Sequence, residues 1–128
     1  MNSEALPTDE KVLLIVDDEP LMVDFFKQAM SKRGLKVFGS ASGAEALALI
    51  ESGEHGIDLV VSDMSMPGMS GVELANRLME IDPKLPILIA TGHDTTTAQI
   101  GAPPNVIEVI RKPYQARALA DRIREILG

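Results

Sequence analysis

Short apolar runs recur along this chain, and each ends in a polar or charged residue. Val12-Leu13-Leu14-Ile15-Val16 runs into Asp17-Asp18, and Asp58-Leu59-Val60-Val61-Ser62 runs into Asp63. Pro86-Ile87-Leu88-Ile89-Ala90 runs into Thr91, and Val106-Ile107-Glu108-Val109-Ile110 runs into Arg111-Lys112-Pro113. Runs of this length, rich in β-branched residues and bounded by turn formers, predict buried strands. Between them the apolar period lengthens to that of a helix, and the two patterns alternate five times.

The helical segments have readable ends. Pro20 suits the first turn of a helix, where its missing N–H costs nothing, and Met22, Phe26, Ala29 and Met30 give that helix one apolar face before Gly34. Ser42-Gly43-Ala44-Glu45 reads as a capping box opening a second helix, with Ala46, Leu47, Leu49 and Ile50 behind it and Gly53 as its stop. Ser70-Gly71-Val72-Glu73 is another such box. It opens a third helix that faces inward through Val72, Leu74, Ala75, Leu78 and Ile81, until Asp82-Pro83 breaks it. A last helix runs from about Gln115 to Leu127, burying Leu119, Ala120, Ile123, Ile126 and Leu127. The fourth segment is weak. Asp94 to Ile100 holds three Thr residues of low helix propensity, and Gly101-Ala102-Pro103-Pro104 forbids continuation. A short or frayed fourth helix is the expectation.

Regular alternation of strand and helix predicts a parallel sheet covered on both faces. Five strands favour a doubly wound, flavodoxin-like α/β fold with strand order 2-1-3-4-5. That order puts the first strand inside the sheet, flanked by the second and third, so Asp17, Asp18 and Asp63 meet where the winding reverses, the place where such sheets bind ligands. Thr91 and Lys112 follow along the same rim.

Composition narrows the reading. One Tyr and no Trp leave an aliphatic core, and the absence of Cys removes disulfides and thiolate metal sites. That fits a reducing cytoplasm. No apolar run is long enough to span a membrane, and the first ten residues lack the basic-then-apolar pattern of a signal peptide. Residues 1–10 are polar and acidic and are expected to be a disordered lead, with one domain over 11–128. A net charge of −7 argues against direct nucleic-acid binding, which depends on Lys and Arg.

Three clustered carboxylates need a counter-charge. Two unit charges about 4 Å apart repel by roughly 4 kcal/mol at an effective dielectric of about 20, against a total stability of about 5–15 kcal/mol for a small domain. Lys112 supplies one positive charge, and a hard divalent ion would supply two more. Mg²⁺ prefers oxygen ligands and shares its shell with phosphates, whereas zinc would want Cys or His. A carboxylate beside such an ion can attack phosphorus. Asp63 is the candidate nucleophile, because the flexible Met66-Pro67-Gly68-Met69-Ser70-Gly71 loop follows it while the adjacent Asp17-Asp18 pair suits a metal clamp. Thr91 offers a hydroxyl and Lys112 an ammonium to the phosphoryl oxygens.

Taken singly, each feature has an ordinary explanation. An Asp pair is often a solvated turn or cap, Lys112-Pro113 a plain strand exit, His55 a loop residue, and Met64, Met66 and Met69 adaptable packing. The ordered set Asp-Asp, Asp, Thr, Lys-Pro on one rim is what ordinary explanations do not produce. A phosphatase with an aspartyl nucleophile would want a second acid two residues on, where Ser65 stands. A flavin-phosphate binder would want a Gly/Ser/Thr loop after the first strand, where Asp17-Asp18-Glu19 stands.

The same set resembles the receiver domain of two-component response regulators, through Val16-Asp17-Asp18-Glu19-Pro20, the Ser62-to-Gly71 stretch, Ala90-Thr91-Gly92 and Lys112-Pro113-Tyr114, over roughly residues 11 to 127. The resemblance implies that Asp63 takes a phosphoryl group from a histidine kinase or histidine phosphotransfer protein. It implies Mg²⁺ held by Asp18, Asp63 and the backbone carbonyl of Ser65, with Asp17 orienting a metal-bound water. It further implies that Lys112 and Thr91 contact the phosphoryl oxygens and that the Lys112-Pro113 bond is cis. The output would be a change around the fourth helix, fifth strand and fifth helix, read by another protein or a second copy. Beyond self-phosphorylation and self-dephosphorylation with Mg²⁺, no enzymatic turnover is expected. A receiver acting as an interaction module without phosphorylation is the alternative. Two departures stand out. Val109 occupies the position where receivers often carry Tyr or Phe, three before the lysine, and Gly92 through Pro104 looks like the receivers at the ends of hybrid histidine kinases. Ser65 and His93 fall where such domains tune phosphoryl lifetime.

Overall fold

The computed structural model describes residues 10–128; the lead expected over residues 1–10 lies outside them but for Glu10. Five parallel strands form one sheet: β1 (Val12–Val16), β2 (Lys36–Ser40), β3 (Leu59–Asp63), β4 (Ile87–Thr91) and β5 (Val106–Arg111), in the order β2-β1-β3-β4-β5. Four helices connect and follow them: α1 (Pro20–Ser31), α2 (Gly43–Glu51), α3 (Gly71–Ile81) and α4 (Ala116–Leu127). The fold is the expected doubly wound, flavodoxin-like α/β arrangement.

Alternation along the strands divides the core in two. Leu13, Ile15, Leu59, Val61 and Leu88 face α1 and α4, where they meet Phe26, Met30, Leu119, Ala120 and Ile123. Leu14, Val16, Val60, Ile87 and Ile89 face the other way, onto Ala46 of α2 and Leu74, Ala75 and Leu78 of α3. Both faces of the three central strands are therefore covered, which explains their unbroken apolar runs.

The helix ends follow the sequence signals with local exceptions. The box at Ser70 is complete: Glu73 N–H donates to Ser70 Oγ at 3.1 Å, and Ser70 N–H donates to Glu73 Oε1 at 3.0 Å. The box expected at Ser42 is half made. Glu45 N–H donates to Ser42 Oγ, but the Glu45 carboxylate takes the N–H of Ala41, and Ser42 N–H turns to Ser40 Oγ. Ile81, expected on the inward face of α3, is 39% exposed as the last residue of the helix. Asp58 lies outside β3 and instead accepts from Val12 N–H at 2.8 Å, tying the start of β3 to that of β1.

The fourth helix does not form as a regular element. Between β4 and β5 the chain makes only turns, with Ile100 N–H donating to Thr96 O and Ala102 N–H to Thr97 O. The segment opens with the same reciprocal pair as α3: Thr96 Oγ1 takes the N–H of Gln99, and Gln99 Oε1 takes the N–H of Thr96 and the hydroxyl of Thr95. One turn follows, and Gly101, Pro103 and Pro104 stop it there.

Past this segment, buried Asn105 donates from Nδ2 to Ala75 O at 2.9 Å and ties β5 to α3. Replacing it with Ala removes that tie, and Asn105→Ala is expected to lower stability by about 1–3 kcal/mol in urea unfolding.

Candidate functional site

Strand register builds the site. Val16 lies beside Ser62, so Asp17, one residue past the end of β1, is level with Asp63 at the end of β3. Asp63 in turn pairs with Ala90, and Thr91 with Arg111, so Thr91 and Lys112 stand at the next steps of the same rim. Two backbone bonds fix these ends. Met64 N–H donates to Ala90 O at 2.8 Å, and Lys112 N–H donates to Thr91 O at 2.7 Å.

The carboxylates converge as expected. Asp17, Asp18 and Asp63 each offer an oxygen, and these lie within 4.8 Å of one another. Asp17 is 6% exposed, Asp63 is half-buried and Asp18 is exposed. Lys112 Nζ donates to Asp63 Oδ1 at 3.0 Å and stands 4.0 Å from Asp17 Oδ2. Asp17 Oδ1 accepts from Glu19 N–H at 2.9 Å, which orients its carboxylate. Burial pushes the Asp17 carboxyl above the usual carboxylate range, and the charge of Asp63 adds to this; the Glu19 N–H and Lys112 oppose it.

The donor set suits a hard cation. It consists of carboxylate oxygens, with no sulfur and no imidazole among them. Opposite ligands of an octahedral Mg²⁺ lie about 4.2 Å apart, since each is held near 2.1 Å. The separations here, all within 4.8 Å, are of that order.

Of the other expected site residues, Thr91 is buried, and its Oγ1 accepts from His93 N–H at 3.2 Å. Ser65 lies exposed on the loop after β3, beside an open groove of about 470 Å³ lined by Met64, Ser65, Met66, Pro67 and Ser70. The Lys112–Pro113 bond is cis, and Val109 is half-buried on β5.

Gly71 and Tyr114, motif members in the sequence, take on contacts at the site that no local pattern specifies. Gly71 lets α3 start against the site: a Cβ there would sit 2.7 Å from the carbonyl oxygen of Asp63 and 3.2 Å from Met64 Cα. Both neighbours are backbone, so neither yields cheaply. Gly71→Ala is expected to cost about 1–3 kcal/mol by overpacking, read by chemical denaturation, and to displace the Asp63 backbone. The second is Tyr114, whose ring stacks on Phe26 with centroids 5.1 Å apart and planes 19° apart. The Gly at the start of a capping box was visible in sequence; the approach of the Asp63 carbonyl was not.

Comparison with known proteins identifies the family. The family model described as "Response regulator receiver domain" matches residues 13–124. The chain belongs to the response regulator receiver domains. The response regulator receiver protein CpdR of Brucella abortus is 33% identical over 118 residues, covering 91% of this chain and 97% of that protein. The C4-dicarboxylate transport transcriptional regulatory protein DctD of Rhizobium meliloti is 33% identical over 113 residues, covering 88% of this chain but only 24% of DctD. The chain thus spans about a quarter of that longer regulator and nearly all of CpdR. Among solved structures, the response regulator TrrA of Thermotoga maritima, in complex with Mg(2+)-BeF, superposes with a TM-score of 0.80 at 27% identity, over 91% of this chain and 99% of that one. Receiver domains are signalling modules of two-component systems, working between histidine kinases and output domains, and not enzymes of the conventional kind. Among the described residues no helix is long and apolar enough to cross a membrane.

Proposed function

We propose that this receiver is a phosphoacceptor in a phosphorelay, with Asp63 taking a phosphoryl group from the phosphohistidine of a histidine kinase or histidine phosphotransfer protein. The supporting observation is the meeting of three carboxylates from two strand ends with one ammonium, Lys112 Nζ at 3.0 Å from Asp63 Oδ1.

The roles follow from position. Asp17 is buried and held by Glu19 N–H, and Asp18 is its neighbour, so both are placed to hold a cation and poorly placed to attack. Asp63 is followed directly by Met64 and Ser65, which line the open groove of the next loop. Its carboxylate attacks phosphorus: a new O–P bond forms, the P–N bond breaks, and the electron pair of that bond leaves on the donor imidazole nitrogen. Attack by a carboxylate oxygen needs no general base. Negative charge gathers on the equatorial phosphoryl oxygens, and Lys112 stabilises it. Thr91 supplies a hydroxyl on the neighbouring strand end. Mg²⁺ is the cofactor this set fits, with Asp17, Asp18, Asp63 and the carbonyl of Ser65 as its holders; bound there, it would neutralise charge shared by the carboxylates and the incoming phosphoryl group. The phosphorylated site, near minus two in charge, would bias the surface around the 92–104 segment, β5 and α4 toward an output protein or a second copy of the chain.

Acetyl phosphate with Mg²⁺ tests this directly. Intact-mass analysis should show the addition of one phosphoryl group, mapped to Asp63 after trapping and digestion. Unmodified protein would support the alternative of a receiver that binds partners without phosphorylation, and modification at another residue would move the acceptor away from Asp63.

A further inference from the structure

Aromatic residues are scarce in this chain: three Phe, one Tyr and no Trp. Three of these four are in contact. Tyr114 stacks on Phe26, and Phe26 meets Phe25 edge to face, with centroids 5.2 Å apart and planes 79° apart. The file of rings starts two residues from Lys112 and ends at Phe25, which is 56% exposed on α1. A cavity of about 360 Å³ lies alongside, lined by Met22, Phe25, Phe26, Lys112, Pro113 and Tyr114. The same lysine whose ammonium holds Asp63 therefore walls the space into which the Tyr114 ring could move.

We infer that Tyr114 and Phe26 form a conformational relay, through which the state of Asp63, read by Lys112, alters the exposed α1 surface at Phe25. This rests on Asp63 being the phosphoacceptor. The physical course has three links. Phosphorylation moves negative charge outward from the carboxylate, and Lys112 follows it from Asp63 Oδ1 to a phosphoryl oxygen. The backbone N–H of Lys112 stays on Thr91 O, so the adjustment passes along Pro113 to Tyr114. The flat stack on Phe26 then gives way to a second packing in the cavity, and the Phe25 edge contact changes with it. Stacked and displaced rings are the two states that the charge at Asp63 biases. Tyr114 already senses that charge: its phenol is pushed well above the usual tyrosine range, first by burial and then by Asp17 and Asp63.

The composition supplies the experiment. As the sole Tyr in a chain without Trp, Tyr114 alone dominates the intrinsic emission. Adding Mg²⁺ with beryllofluoride, a stable phosphoryl mimic, to the full chain should shift the emission intensity of Tyr114 and its quenching by acrylamide. The Tyr114 and Phe25 ring protons should move in parallel with the amides around Asp63 in NMR spectra. Phe26→Leu should keep the Asp63 amide shifts and lose the response at Phe25. A Phe38→Leu control, away from the file of rings, should keep both. If the wild type shows full Asp63 and Lys112 shifts while Tyr114 and Phe25 stay unmoved, the relay is wrong and the phosphoacceptor reading stands. If neither region responds, both are wrong. The wild-type ring shifts decide the matter even if Phe26→Leu fails to fold.

Discussion

Asp63→Asn is expected to accept no phosphoryl group from acetyl phosphate or a phosphohistidine donor, while remaining folded. An amide oxygen is a far poorer nucleophile than a carboxylate, and no neighbour can replace it. Asp17 is buried, with Oδ1 taken by Glu19 N–H, and in the proposed arrangement Asp18 holds the metal. The fold should survive because the substitution removes one of three mutually repelling charges. Lys112 loses its partner at 3.0 Å but keeps Asp17 at 4.0 Å. Intact mass after acetyl phosphate treatment, together with a melting curve, separates the outcomes. Phosphorylation of Asp63→Asn at the wild-type rate would move the acceptor elsewhere.

Asp17→Asn should stabilise the metal-free protein and weaken its response to Mg²⁺. The Asp17 carboxyl is raised above its ordinary value of 3.8 by burial and by Asp63. The folded state thus binds a proton at Asp17 more tightly than the unfolded state does. Its ionised form costs stability, fully so above the folded pKa, and the cost fades as pH falls through that value toward 3.8. Asn keeps the acceptor for Glu19 N–H and removes the charge. At neutral pH without metal the variant should be more stable by on the order of 1 kcal/mol, since the Coulomb penalty is partly offset by Lys112. The advantage should shrink on acidification and reverse at saturating Mg²⁺, because a ligand that binds only the native wild type stabilises it by mass action. Thermal melts with Mg²⁺ and with a chelator, at neutral and mildly acidic pH, check each sign. A variant less stable than the wild type without metal would mean that burial and repulsion at Asp17 are already compensated.

What could be read from the sequence and what could not divide along a physical line. The central strands were legible because a strand buried on both faces must be apolar throughout, as Leu13–Val16 and Leu59–Val61 are. The rim residues were legible because charge on such strands is tolerated only at their ends, and strand order then brings Asp17 beside Asp63. The β2 strand, Lys36–Ser40, carries no such run, since an edge strand is buried less completely. The end of the fourth segment in turns was visible in Gly101, Pro103 and Pro104, whereas the reciprocal bonding of Thr96 and Gln99 that opens it appears only in the structure. The displacement of Glu45 to Ala41 and the close approach of Gly71 to Asp63 O likewise depend on distances of a few ångströms between segments that local patterns do not specify. Tyr114 lay in plain sight beside Lys112-Pro113, but its partner Phe26 is on another element, and only the fold brings the rings together.

A titration of the isotopically labelled protein with Mg²⁺, followed by amide NMR, tests the central claim most directly. The three carboxylates and the Ser65 carbonyl predict a saturable shift confined to residues 17–19, 62–66 and the neighbourhood of Lys112, lost in Asp18→Asn. Amides at those positions that stay unmoved, with only scattered weak shifts at exposed acidic residues, would contradict it.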